Sequence, residues 1–174
     1  MNDQHDVLAK KVYECSKFYV EEQLFPSGSS KRFVVRHPGA AVFLPITDVG
    51  SVLLVRQHRT ALGRELLEAP AGTLEAGEDP LACAQREIQE EVGMKAERWD
   101  SLGTLYPAPG FCDEVQHLFI ARDLTPSSLP ADDDEAITVV EMTQREILAA
   151  VSASELFDTK TLAIVLKAQL LGLL

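Results

Sequence analysis

The sequence predicts a single mixed α/β domain, and three observations carry that expectation. Runs rich in β-branched and aromatic residues, bounded by turn residues, dominate the first part of the chain. Helical periods with recognisable caps appear in the middle and at the C-terminal end. The 174 residues contain no internal repeat and no loop long enough to join two domains, and they suffice for a substantial core.

The elements follow in order. "KKVYECSKFYVEEQLF" mixes aromatic and β-branched residues with charges, "PSGSS" reads as a turn, and "KRFVVRH" as a further strand. "AAVFLPIT" and "SVLLVRQHR" are apolar runs separated by "DVG", a hairpin signal inside the main core. "ELLEAPAG" reads as one short strand ending at Gly72. A helix follows, with Asp79 as N-cap, Pro80 at the first helical position and Gly93 at its end. "WDSLGTLYPAPGF" is a strand running into a Pro/Gly loop. "EVQHLFIARDL" is a strand, "TPSSLPADDDE" a polar loop and "AITVVEM" another strand. "TQREILAAVSA" and "TKTLAIVLKAQLLGLL" are helical, and Thr143 with Glu146 forms a capping box at the start of the first.

Charge and composition exclude several classes. With 16 basic against 27 acidic residues, the net charge is -11, which opposes binding to a nucleic-acid backbone. A small anionic substrate remains open if metal ions stand between it and the protein. Cys15, Cys83 and Cys112 form no CxxC pair and read as free thiols of a reducing cytoplasm. The polar N-terminus "MNDQHDVLAKK" has no signal-peptide core, and no apolar run reaches the roughly 18 residues of a membrane span. The expectation is a cytoplasmic protein with no nucleic-acid or membrane partner.

The helix after Pro80 carries an electrostatic problem. Leu81, Ala84, Ile88 and Val92 gather on its core side at about 100° per residue. Glu87 and Glu91 stack one turn apart, with Glu91 at the margin of that stripe, while Glu90 lies nearer Arg86. Clustered acids near a helix C-terminus oppose the macrodipole and one another. They are either a solvated acidic face or a set of oxygen ligands for a hard cation.

The longer pattern is more specific. Gly72, Glu78, Arg86-Glu87-Ile88, Glu90-Glu91 and Gly93-Met94 match Gly-x5-Glu-x7-Arg-Glu-U-x-Glu-Glu-x-Gly-U at every defined position, where U is bulky and apolar. This chain therefore resembles the Nudix hydrolases, which cleave nucleoside diphosphates linked to another group. The resemblance implies an α/β/α sandwich with a mixed sheet, and two or three Mg2+ (or Mn2+) ions. It makes Glu87 and Glu91 the main metal ligands, with Glu90 and the carbonyl of Ala71 as further ones. It gives Arg86 the role of orienting the carboxylates and Glu78 that of supporting the loop.

"RHPGAAVFLPI", "VLLVRQHR", "ELLEAPAG", "YPAPGFCDE", "HLFIARDL" and "FDTKTLAIVL", with Pro109 placed 15 residues after Met94, are similar to the ADP-ribose pyrophosphatase group. That similarity implies cleavage of a nucleoside diphosphate sugar to a nucleoside monophosphate and a sugar phosphate. It implies that Arg59 contacts the diphosphate, with Arg56 a weaker candidate, and that Glu114 contacts the distal sugar. Glu68 either joins the metal site or packs its strand, and Phe111 either lines the pocket or anchors its loop. The group's catalytic base comes from a loop after the box, which here points to Glu135 and next to Asp133. His37 and His58 are poorer choices, and Trp99 reads as packing.

Residues 1–38 hold strands with few evident partners within the core of residues 39–174. In the group such strands form a small antiparallel sheet that crosses to a second subunit, so a homodimer is expected. Phe18, Tyr19 and Phe33 are then candidate stacking residues, unless they simply pack. Two alternatives remain: preference for another sugar nucleotide such as GDP-mannose, and a catalytically silent ADP-ribose-binding sensor.

Overall fold

The computed structural model describes residues 8–24, 30–130, 136–153, 155–156 and 158–174. Three antiparallel strands come first: β1 (Leu8–Glu14), β2 (Tyr19–Leu24) and β3 (Lys31–Arg36), ordered β1-β2-β3. The stretch read from composition as strand-forming is thus two strands, joined by a turn in which the Cys15 N–H donates to the Phe18 carbonyl at 3.0 Å. This sheet meets the rest of the chain along β3. The Val35 N–H donates to the Phe111 carbonyl at 2.8 Å, and Arg36 pairs with Asp113 at 2.9 Å.

The core is built on β4 (Ala40–Pro45), β5 (Val52–Arg59), β6 (Arg64–Glu68), β7 (Ala71–Thr73), β8 (Met94–Leu105), β9 (Gln116–Pro126) and β10 (Ile137–Met142). They form a mixed four-stranded sheet, β7-β4-β9-β8, and an antiparallel three-stranded sheet, β10-β5-β6. Two expectations are corrected here. "DVG" does turn the chain, with Gly50 at φ 81°, but β4 and β5 pair only through one Ile46–Val52 bridge and enter different sheets. The reason lies in their burial: β4 is buried on both faces and has a strand on either side, antiparallel β7 and parallel β9. "ELLEAPAG" is not one strand but two, β6 and β7, in different sheets. Pro70 interrupts it, because a proline has no N–H for a ladder; its carbonyl instead accepts from Phe43 at 3.1 Å.

Successive residues of a strand point to opposite faces, and that alternation builds the layers. Ala41, Phe43, Leu53, Val55, Phe119 and Ala121 cluster with Cys83, Ala84, Ile88 and Val92 of the acidic helix, α1 (Pro80–Glu87 and its continuation to Val92). The intervening Val42, Leu44, Val52, Leu54, Leu118 and Ile120 cluster with α2 (Gln144–Ser152) and α3 (Thr159–Leu170). The result is an α/β/α sandwich with α1 on one side and α2 and α3 on the other. Trp99 stands edge-on to Phe43 and Phe119, with ring centroids 5.9 and 6.2 Å away, so it packs. Among the described residues no helix is long and apolar enough to cross a membrane.

Candidate active site

The site begins with how α1 is started and stopped. The Asp79 carboxylate accepts from the N–H groups of Leu81 and Ala82 at 2.9 and 3.3 Å, with Pro80 in the first turn. From Ile88 to Val92 the helix widens into a π-type turn, and Gly93 ends it in the left-handed region at φ 72°. Cys83, Ala84, Ile88 and Val92 fix this helix to the core, so its remaining side chains have a fixed direction.

Arg86 is the hub of the acidic face. Its Nε and Nη2 donate to the two carboxylate oxygens of Glu78 at 3.2 and 3.3 Å. Its Nη1 donates to Glu87 at 2.7 Å and to Glu90 at 2.8 Å. One guanidinium therefore holds three carboxylates, and hydrogen bonding to Arg86 keeps the Glu78 carboxyl below its ordinary pKa. Cys83 lies beneath. Burial first, then the charges of Glu78 and Glu87, push its thiol up to about 12.

Gly72 is where β7 meets the helix. A Cβ there would lie 1.9 Å from the Glu87 carboxyl carbon, so only bare backbone fits. Next to it, the Ala71 N–H donates to Glu91 Oε2 at 2.9 Å, and Glu91 is buried.

A second charged group lines the same cavity. Glu68, only 1% exposed, receives two parallel bonds from Arg59 at 2.8 and 2.6 Å and a third from Lys160. Burial would raise the Glu68 carboxyl, but Arg59 and Lys160 outweigh it and hold it below its ordinary value. Lys160 also donates to Asp158, the N-cap of α3, at 2.8 Å. At the start of β9, the Gln116 amide donates to Glu114 at 2.8 Å.

The two groups face a cavity of about 690 Å³. Of the residues picked from the sequence, Ala71, Arg86, Glu87, Glu90, Glu91, Arg59, Glu68 and Glu114 line it together. Arg56 does not: it is exposed on β5 and lines a separate cleft with Arg64, Glu141 and Glu155. Phe111 is 60% exposed on its loop and lies off the cavity wall. Asp133 and Glu135 lie outside the described residues. His37 lines the cavity, with a ring nitrogen accepting from the Gly39 N–H at 3.1 Å. His58 is exposed on β5. Sequence reasoning missed Lys160, Asp158 and Gln116; for the first two, a lysine in the first turn of a helix, where its charge opposes the macrodipole, two residues after an Asp N-cap, was the available signal.

Among the described residues, no three His, Cys, Asp or Glu side chains already converge as a ligand set. The surroundings nevertheless fit a hard divalent ion: clustered carboxylates and the backbone strip that a Cβ at Gly72 would obstruct.

The family model described as the NUDIX domain matches residues 35–160. The chain belongs to the Nudix family. The Nudix segment runs from the end of β3 into the first turn of α3, so it includes Lys160. The ADP-ribose pyrophosphatase of Bacillus subtilis (strain 168) is 41% identical over 82% of this chain and 79% of its own. The methanol dehydrogenase activator of Bacillus methanolicus is 38% identical over 88% and 85%. The GDP-mannose pyrophosphatase of Yersinia enterocolitica is 30% identical over 99% and 96%. A solved ADP compounds hydrolase superposes with a TM-score of 0.80 at 22% identity, covering 99% of this chain and 98% of that one, which shows that the two share a fold.

Proposed function

We propose that this Nudix hydrolase cleaves the diphosphate of ADP-ribose to AMP and ribose 5-phosphate with the help of divalent cations. The observation that carries this reading is the cavity itself. Box carboxylates held by Arg86 and an arginine, Arg59, locked by Glu68, line the same cavity. The 41% identity to an ADP-ribose pyrophosphatase supports the choice of substrate.

Glu87, Glu90, Glu91 and the Ala71 carbonyl would hold Mg2+ or Mn2+, two or three ions in number. Such ions neutralise a diphosphate and activate water when bound. Arg86 holds and orients the carboxylates of Glu78, Glu87 and Glu90. Arg59 binds the diphosphate, with Arg56 and Phe111 contributing only if their segments move toward the cavity. Glu114, steadied by Gln116, receives hydroxyls of the distal sugar. Glu135, or else Asp133, takes the proton of the attacking water from the loop before β10.

We further read residues 1–38 as a dimerisation sheet and the enzyme as a cytoplasmic homodimer. Leu8, Val12, Tyr13 and Phe33 are exposed apolar side chains of that sheet, a surface that a second copy would cover. A preference for GDP-mannose is the second reading, favoured by a relative matched along almost the full length of both chains. A silent sensor is disfavoured because Glu78, Arg86, Glu87, Glu90 and Glu91 are all present.

The test is a panel of nucleoside diphosphate sugars with Mg2+, read by phosphate release after a coupled phosphatase. ADP-ribose should turn over fastest. Faster turnover of GDP-mannose selects the second reading, and no turnover of any member sinks both.

A further inference from the structure

The first turn of α3 faces the link between β6 and β7. The fully buried Thr161 hydroxyl accepts from the Ala69 N–H at 2.7 Å and donates to Asp158 at 2.6 Å. Lys160, 7% exposed, donates to the same Asp158 oxygen at 2.8 Å and to Glu68. Glu68 in turn grips Arg59 by a fork at 2.8 and 2.6 Å. A buried ammonium is costly to desolvate, and an apolar side chain of similar length would pack α3 as well. The lysine therefore calls for a role beyond packing.

Arg59 shows what that role is. Of the five N–H donors of a guanidinium, Glu68 takes two, leaving three on a side chain still 42% exposed. The plane of the fork follows the plane of the Glu68 carboxylate. That carboxylate turns about a terminal torsion with a broad, roughly two-fold preference. A single cation turning with it would leave the torsion loose. Lys160 is a second cation on the same group, tied from behind to Asp158 on a helix whose first turn is stitched to Ala69.

We propose that Lys160 is a positioning residue: acting through Glu68, it fixes the plane of the Arg59 guanidinium, so that the three N–H donors not taken by Glu68 stand preset for an anion in the cavity. The inference rests on the proposed function in taking that anion to be the substrate diphosphate. Donors held in place lose less entropy on binding than mobile ones.

The experiment uses the full chain. In 15N-arginine-labelled protein, the Arg59 Nε–H signal, assigned with Arg59→Lys, should stand apart from those of exposed arginines. Lys160→Met should move it into the exposed group, and Lys160→Arg should restore it in part. With ADP-ribose and Mg2+, Lys160→Met should lower kcat/KM on the order of 10-fold. The Lys160→Met/Arg59→Ala double variant should match Arg59→Ala within about 2-fold, because both changes disable one device. An unmoved Arg59 signal, or additive losses showing that Lys160 acts on the substrate by itself, overturns the proposal. If Lys160→Met does not fold, Lys160→Gln, an uncharged donor, gives the same two readouts. A wild type without turnover refutes the proposed substrate, while the arginine signal still decides the positioning.

Discussion

Arg86 bonded to three carboxylates is the residue-scale centre of this site. Like charges this close repel, so their geometry depends on that one guanidinium and on the bare backbone of Gly72. Gly72→Ala puts a Cβ 1.9 Å from the Glu87 carboxyl, and the side chain must swing away. The expected result is a loss of turnover of about 100-fold, the scale of an ångström misplacement, with little change in Tm. Steady-state kinetics beside thermal melts checks it. Glu91→Gln keeps the shape but removes the charge. It should lose metal-dependent turnover by orders of magnitude while its circular dichroism spectrum stays that of the wild type; near-normal turnover would count against Glu91 as a ligand.

At the scale of elements, α3 is held by its first turn. The Asp158 carboxyl would be raised by burial, but Lys160 and the Thr161 bonds hold it below its ordinary value, and Glu68 is likewise lowered. Groups lowered on folding contribute stability that is present above their unfolded pKa and is lost as pH falls through the folded one. Unfolding in denaturant followed with pH should therefore show stability falling below about pH 4. Asp158→Ala should flatten part of that fall and cost about 1 kcal/mol at neutral pH, the usual worth of a cap. The elements were legible where local chemistry decides them. Asp79, Pro80 and Gly93 bound α1 as read, Thr143 and Glu146 form their capping box, and Glu91 sits at the core margin. The pairing of β4 with β9 was not legible, because strand partners far apart in sequence leave no local signal. The split at Pro70 did have one, a proline inside the stretch, that the reading of "ELLEAPAG" as one strand passed over. The Glu68–Lys160 contact, 92 residues apart in sequence, was hidden for the same reason as the β4–β9 pairing.

At the scale of the whole molecule, the small sheet leans on the body through β3, while β1 is exposed along its length. Two copies joined through these sheets would hide Leu8, Tyr13 and Phe33. Sedimentation should then give twice the chain mass of 19.1 kDa, and Tyr13→Glu with Phe33→Glu should return it to one. A wild-type monomer at micromolar concentration counts against the dimer.

Cys83 supplies something else: a built-in clock. Its sulfur lies under the box, donating to the carbonyls of Gly72 and Thr73, while Cys15 and Cys112 are half-buried. An alkylating reagent reaches Cys83 only when β7 and α1 part, so its labelling rate counts those openings. Ions that bind the closed box should slow the count, which makes metal affinity measurable without substrate or turnover.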